Sequence, residues 1–198
     1  MFSGAESLIG RQVDQAFFLI LGICVAMLVL ITFLMVFFVI KYNRKRHPIP
    51  ENIEGNTLLE ITWTVIPTIL VLAMFYVGWT GYRQMQDVPA GAMTVKVTAR
   101  MWSWLFEYEN GKQSDVLNLP VGKPVKLVLS SEDVLHSFYV PAFRVKKDAV
   151  PGIKAVLWFT PDETGSFDLF CAEYCGVGHS AMLSKVVVMN EDAFTAWL

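Results

Sequence analysis

Two stretches of this 198-residue chain run without a charged side chain for longer than most soluble folds allow, and the rest must be arranged around them. Ala16 to Ile40 is 25 residues long and Ile61 to Tyr82 is 22. At about 1.5 Å per residue the first makes a helix of roughly 37 Å, enough to cross a hydrocarbon core of about 30 Å with some tilt. The second contains Pro67, which costs less near the start of a span, where few backbone bonds have yet to close. Its aromatic residues Trp63, Tyr76, Trp79 and Tyr82 lie toward its ends, as an interfacial belt would. A buried core helix is the alternative for either run, and two such runs in one chain weigh against it. A cleaved signal fits the first run poorly, because its apolar stretch is too long and no small-residue cleavage site comes after it.

Directly after the first run stand Lys41, Arg44, Lys45 and Arg46, a basic cluster that stays cytoplasmic, whereas Glu6, Arg11 and Asp14 before it show no basic excess. The expected organisation is an external segment at 1–15, spans at 16–40 and 61–83, a basic internal loop at 41–60, and an exported domain at 84–198. Composition divides at the same place. The chain is 54% hydrophobic and 17% charged, with a mean hydropathy of +0.45. Residues 1–88 hold 6 basic and 6 acidic groups and residues 89–198 hold 10 and 12, so the net charge of −2 belongs to the exported part. The chain carries no strongly basic patch, which argues against nucleic acid as a partner. Its apolar content excludes disorder, and three cysteines are too few for a disulfide framework.

Beyond residue 91 the pattern changes to period two. TVKVTAR (94–100), VKLVLS (125–130), AVLWFT (155–160) and SKVVVM (184–189) alternate and are rich in β-branched or aromatic residues. Turn signals separate them: Asn110-Gly111, PVGKP (120–124), Pro151-Gly152 and DETG (162–165). Short strands so spaced predict an all-β antiparallel sandwich or barrel, with a helical turn around Phe194 and Trp197 closing one end.

The chemistry concentrates in CAEYCGVGHSAM (171–182), which brings Cys171, Cys175, His179 and Met182 into twelve residues, with His136 upstream in DVLHSF. Thiolate and thioether are soft donors, and imidazole suits copper as well as zinc. Gly176 and Gly178 let the backbone bend so that the donors converge. Several readings stand open on these residues: a Cys171–Cys175 disulfide, a structural zinc with two cysteines and two histidines, and a mononuclear blue-copper site with one thiolate too many. A fourth uses the surplus thiolate. Two thiolates bridge two coppers, with one histidine for each, Met182 axial on one and a loop carbonyl on the other.

The segment C-x-E-x-C-x-x-x-H-x-x-M resembles the binuclear copper (CuA) motif of subunit II of haem–copper cytochrome c oxidases, and SSEDVLHSFYVPAFRVKKDAVPG (130–152) is similar to that family's first-histidine segment. The resemblance implies a two-helix transmembrane hairpin followed by a cupredoxin-like, Greek-key barrel. It implies copper ligation by the side chains of His136, Cys171, Cys175, His179 and Met182 and by the Glu173 carbonyl. The Glu173 carboxylate would reach a magnesium ion shared with subunit I; the alternative is a glutamate kept for loop solubility. MWSWLFEY (101–108) resembles the family's aromatic stretch and maps electron input to Trp102, with Met101 and Ser103 departing from the usual glutamine and aromatic. Sandwich core is the expectation for Trp104 and Phe106. Glu60 matches the family's carboxylate at the cytoplasmic mouth of a proton pathway, the alternative being a first-turn acid favoured by the helix dipole.

The implied function is the electron-input subunit of a proton-translocating oxidase in a bacterial inner membrane. It would take electrons from cytochrome c outside the membrane and pass them to haem in subunit I, which also holds CuB, beside subunit III. Glu107, Glu109, Asp115, Glu132 and Asp133 would steer a basic cytochrome c. A membrane-tethered copper carrier and a CuA subunit of a nitrogen-oxide reductase are the competing readings. Cys24 is expected to be a small buried hydrophobe within the first span.

Overall fold

The computed structural model describes residues 7–49, 51–52 and 54–198, so Glu6 of the N-terminal segment lies outside the described residues. The chain divides into two compact units. One covers 15–80; the other joins the segment up to Asp14 to residues 81–198.

The first unit is built from two helices, α1 (Leu8–Lys41) and α2 (Thr57–Gln86), each running past its uncharged stretch at both ends. Both are long and apolar enough to cross a membrane. None of the side chains of α2, and none in the most apolar window of α1, is buried in the protein. Cys24 stands on a face of α1 that no other part of this chain covers. Helix α2 begins where Asn56 accepts the Leu59 N–H on its Oδ1 at 3.0 Å, a side-chain cap for an otherwise unpaired donor. That start corrects the expectation for Pro67. The proline stands well inside α2 rather than near its beginning, and its missing N–H leaves one ladder bond unmade. The threonines on either side bond back one turn, Thr64 Oγ1 donating to Glu60 O at 2.8 Å and Thr68 Oγ1 to Thr64 O at 2.6 Å, and neither reaches the Trp63 carbonyl opposite the proline.

Among the described residues the second unit holds ten strands and a closing helix. The first sheet contains β1 (Met93–Arg100), β2 (Ser103–Tyr108), β3 (Gln113–Ser114), β5 (Val125–Ser131) and β8 (Ala155–Phe159) in the order β3-β2-β1-β5-β8. The second contains β4 (Leu117–Pro120), β6 (His136–Val140), β7 (Val145–Ala149), β9 (Gly165–Cys171) and β10 (Leu183–Met189) in the order β4-β10-β9-β6-β7. The prediction of antiparallel pairing needs correction at two places. β1 pairs with β5 and β10 pairs with β4 in parallel, because each sheet takes up a strand that returns by a crossover instead of a hairpin.

Alternation on β1 and β5 turns Val95, Val97, Ala99, Val125, Leu127 and Leu129 inward, where they meet Phe138, Leu169 and Val186 from the other sheet in one core. Each large side chain so buried contributes about 1.5–3 kcal/mol. Trp104 and Phe106 belong to this core, as expected. Tyr108 ties the sheets together: its hydroxyl accepts from Asn118 N at 2.7 Å and donates to Asn118 O at 2.9 Å. Burial pushes that phenol up to about 12, against the opposing pull of the Asn118 bonds. Helix α3 (Glu191–Trp197) closes the unit with Trp197 edge-on to Tyr108 at 5.1 Å. At the opposite end of the sequence, Ser7 Oγ donates to Phe143 O at 3.1 Å, and Asp14 pairs with Arg144 at 2.8 Å.

Candidate metal centre

The register of β6 against β9 begins the site. Phe138 stands opposite Cys171, so His136, two residues earlier and on the same face as Phe138, reaches the cysteine diagonally. His136 Nδ1 lies 3.9 Å from Cys171 Sγ, and both residues are buried. Strand β9 ends at Cys171, and a loop returns the chain to β10 through a 3-10 turn at His179–Ala181. Backbone bonds hold the two ends of this loop: Ala172 N to Ser137 O at 2.9 Å, and Cys171 N to Met182 O at 3.3 Å. Gly176 adopts φ 114°, a conformation that disfavours any side chain, and turns Cys175 back toward Cys171.

The result joins all six expected donors. Cys171 Sγ and Cys175 Sγ are 3.8 Å apart, far beyond the roughly 2.05 Å of a disulfide, and both are free thiols. Cys171 has His136 beside it and the Glu173 carbonyl at 3.3 Å. Cys175 has His179 Nδ1 at 3.6 Å and Met182 Sδ at 3.8 Å. Each thiol therefore has its own imidazole, with a thioether on one side and a carbonyl oxygen on the other. His136, Cys171 and Cys175 present their ligand atoms within 4.8 Å of one another, all buried, as a metal cluster requires. Two soft thiolates with imidazole and thioether are a donor set for copper. Burial, followed by hydrogen bonding and charge repulsion from Cys171, pushes the Cys175 thiol up to about 11, so a bound metal must displace its proton.

Asp133 is the residue whose role the sequence did not reveal. It was expected only to steer a partner, but its Oδ1 lies 2.8 Å from His136 Nε2, leaving Nδ1 to face the thiol. Its other oxygen accepts the Met101 N–H at 2.6 Å. Burial works to raise this carboxyl, but donation by Met101, His136 and Val134 outweighs it and holds the pKa at about 2. A carboxylate behind a ligating histidine fixes the tautomer and orientation of the ring. Thirty-two residues separate Asp133 from Met101 in the chain, so no local pattern announces the contact.

Trp102 is 38% exposed, and its Nε1 donates to Cys175 O at 3.1 Å, which joins the surface indole directly to one of the paired thiol residues. Glu173 directs its carboxylate to Lys146 Nζ at 2.9 Å, a partner the sequence did not indicate, and the pairing raises the Lys146 pKa. Of the other acids, Glu107 is held by Lys96 and Gln113, which lower its pKa. Glu60 is exposed in the first turn of α2, apart from the metal cluster in sequence and in unit.

The family model described as cytochrome c oxidase subunit II, transmembrane domain, matches residues 1–77, and that for the periplasmic domain matches 112–190. Cytochrome c oxidase subunit 2 of Alkalihalophilus pseudofirmus is 40% identical over 91% of this chain and 56% of its own length. The Cereibacter sphaeroides protein of that name is 31% identical over 100% of this chain and 78% of its own. The chain thus spans little more than half of the first relative and over three quarters of the second. The crystal structure of the periplasmic domain of subunit II of cytochrome oxidase from Bradyrhizobium japonicum superposes with a TM-score of 0.53 at 32% identity, covering 56% of this chain and 94% of that one. The two apolar helices are those of an integral membrane protein, and the sheets form the cupredoxin-like domain expected after them. With helices, sheets and donor cluster all in agreement, this chain belongs to the cytochrome c oxidase subunit II family.

Proposed function

We propose that this chain is the electron-input subunit of a haem–copper cytochrome c oxidase, holding a binuclear copper centre outside a bacterial inner membrane. The observation that carries the reading is the symmetric pairing of thiols: Cys171 with His136 and Cys175 with His179, 3.8 Å apart. Cys171, Cys175, His136 and His179, with Met182 and the Glu173 carbonyl, are the groups that would hold the metal. Copper held by these donors would supply a one-electron couple.

The residues divide the remaining work. Met182 and the Glu173 carbonyl complete the two halves of the donor set unequally. Asp133 orients His136. Trp102 offers an exposed indole face to reduced cytochrome c and connects inward through Cys175 O. The Glu173 carboxylate, paired here with Lys146, is the group offered to a magnesium ion shared with subunit I. Glu60 stands at the cytoplasmic end of α2, where a carboxylate can collect protons for the haem- and CuB-containing subunit I, with subunit III completing the proton-translocating assembly.

Metal analysis with electron paramagnetic resonance of the purified membrane protein tests this. Two coppers per chain and hyperfine structure from two equivalent nuclei are expected. One readily exchanged copper would favour a carrier, and zinc or a Cys171–Cys175 disulfide in copper-loaded protein would remove the reading.

A further inference from the structure

The ligand loop contains two glycines, Gly176 and Gly178, and they are glycines for different reasons. Gly176 has φ 114°, which an L side chain rarely adopts. Gly178 has φ −91° and ψ 9°, which any residue can take. Backbone conformation therefore does not demand a glycine at 178; space does. A Cβ at Gly178 would fall closest to Trp102 Cδ2, 2.6 Å from Cε3 and 2.7 Å from Cγ. At Gly176 the nearest approach is 3.3 Å, to Cζ2 of the same ring. The indole lies flat over the loop, with its face against Gly178 and its Nε1 donating to Cys175 O at 3.1 Å. The backbone before it is tied by the Met101 N–H to Asp133.

We propose that Gly178 is a positioning residue for electron input: by lacking a side chain it lets the Trp102 indole rest on the copper-ligand loop and keep its bond to Cys175. The proposal rests on Trp102 as the input residue and extends it to the residue that sets its place. Anything larger than hydrogen at 178 displaces the ring, because the indole atoms it meets belong to a rigid bicycle and not to the end of a flexible chain. Displacement breaks the Nε1 bond and separates the exposed aromatic from Cys175. The ligands themselves remain, since alanine suits the Gly178 backbone.

The test compares Gly178→Ala, Trp102→Ala and the double variant in the intact oxidase. The readouts are the rate at which reduced cytochrome c reduces the copper centre, radical footprinting of Trp102, and copper content. A misplacement of about 1 Å can cost roughly 100-fold, so Gly178→Ala is expected to slow reduction by roughly 10- to 100-fold with both coppers retained and Trp102 more heavily labelled. With the indole gone nothing opposes the new methyl, so the double variant should be no slower than Trp102→Ala alone. A double variant slower than Trp102→Ala, copper loss in both backgrounds, or an unchanged rate in Gly178→Ala while Trp102→Ala is slow would each overturn the proposal alone. If Trp102→Ala itself leaves the rate unchanged, the input role of Trp102 falls, and the proposal with it.

Discussion

Leu28 on α1 is 65% exposed and Leu127 on β5 is fully buried, yet both stand in apolar runs of one chain. The helices present their hydrophobic side chains outward, whereas the β domain folds its own into a core shared by two sheets. The difference lies in the solvent each region meets. In lipid a helix already satisfies its backbone, and its apolar surface needs no covering. In water the β domain gains stability only by removing that surface from contact. Cysteine repeats the contrast: Cys24 is exposed on a helix, while Cys171 and Cys175 are buried beside imidazoles.

Matched substitutions in the two regions test this comparison. The largest effect is expected from the cysteines. On the proposed binuclear reading Cys175→Ser removes one of the two thiols, so copper content and the expected paired-copper resonance should collapse, with a loss of electron transfer beyond the 10–100-fold typical of changes behind the ligands. Cys24→Ser should leave both unchanged, and a matching loss there would break the contrast. Next comes the leucine pair. Leu127→Ala opens a cavity in a filled core and should cost about 2–5 kcal/mol in denaturant unfolding of the β domain.

Tyr108 sharpens the account of the buried side through its pH dependence. Its folded pKa, about 12, lies above the ordinary 10.0, so the folded state holds the proton more tightly. The stabilisation is complete below pH 10 and fades as pH rises through 12, amounting to about 2–3 kcal/mol. Tyr108→Phe should flatten that alkaline limb in unfolding curves, and an unaltered limb would show that another group carries it. The smallest effect is expected for Leu28→Ala. Leucine contributes only about 0.3–0.6 kcal/mol to insertion at the centre of a span, so the inserted fraction should scarcely change. A loss there comparable to that of Leu127→Ala would mean that α1 packs against protein at this position.

Particular elements explain which parts of the fold were legible beforehand. The strands at Met93–Arg100 and Val125–Ser131 could be read because one face of each is buried and the residues alternate, and those at Ala155–Phe159 and Leu183–Met189 because they are rich in β-branched or aromatic residues. Strand β4 escapes the same rule, since all four of its residues are buried and no alternation survives. Strand β6 is buried on both faces over His136–Phe138, and in β9 an aromatic, Phe170, stands between the buried Leu169 and Cys171, so neither reads as clean alternation in the sequence. The parallel pairings were invisible because a crossover leaves no turn signature of its own.

The sequence by itself determined two long apolar helices and the sheet-rich character of the part after them, because charge-free length and period-two alternation are local properties, and its resemblance to a known motif singled out six candidate donors. Only the tertiary structure decided which histidine serves which thiol, that Asp133 stands behind His136, that Lys146 holds Glu173, and that Gly178 is empty for the sake of Trp102. Those contacts join residues from separate strands and loops. Only the register and packing of the two sheets bring them within bonding distance.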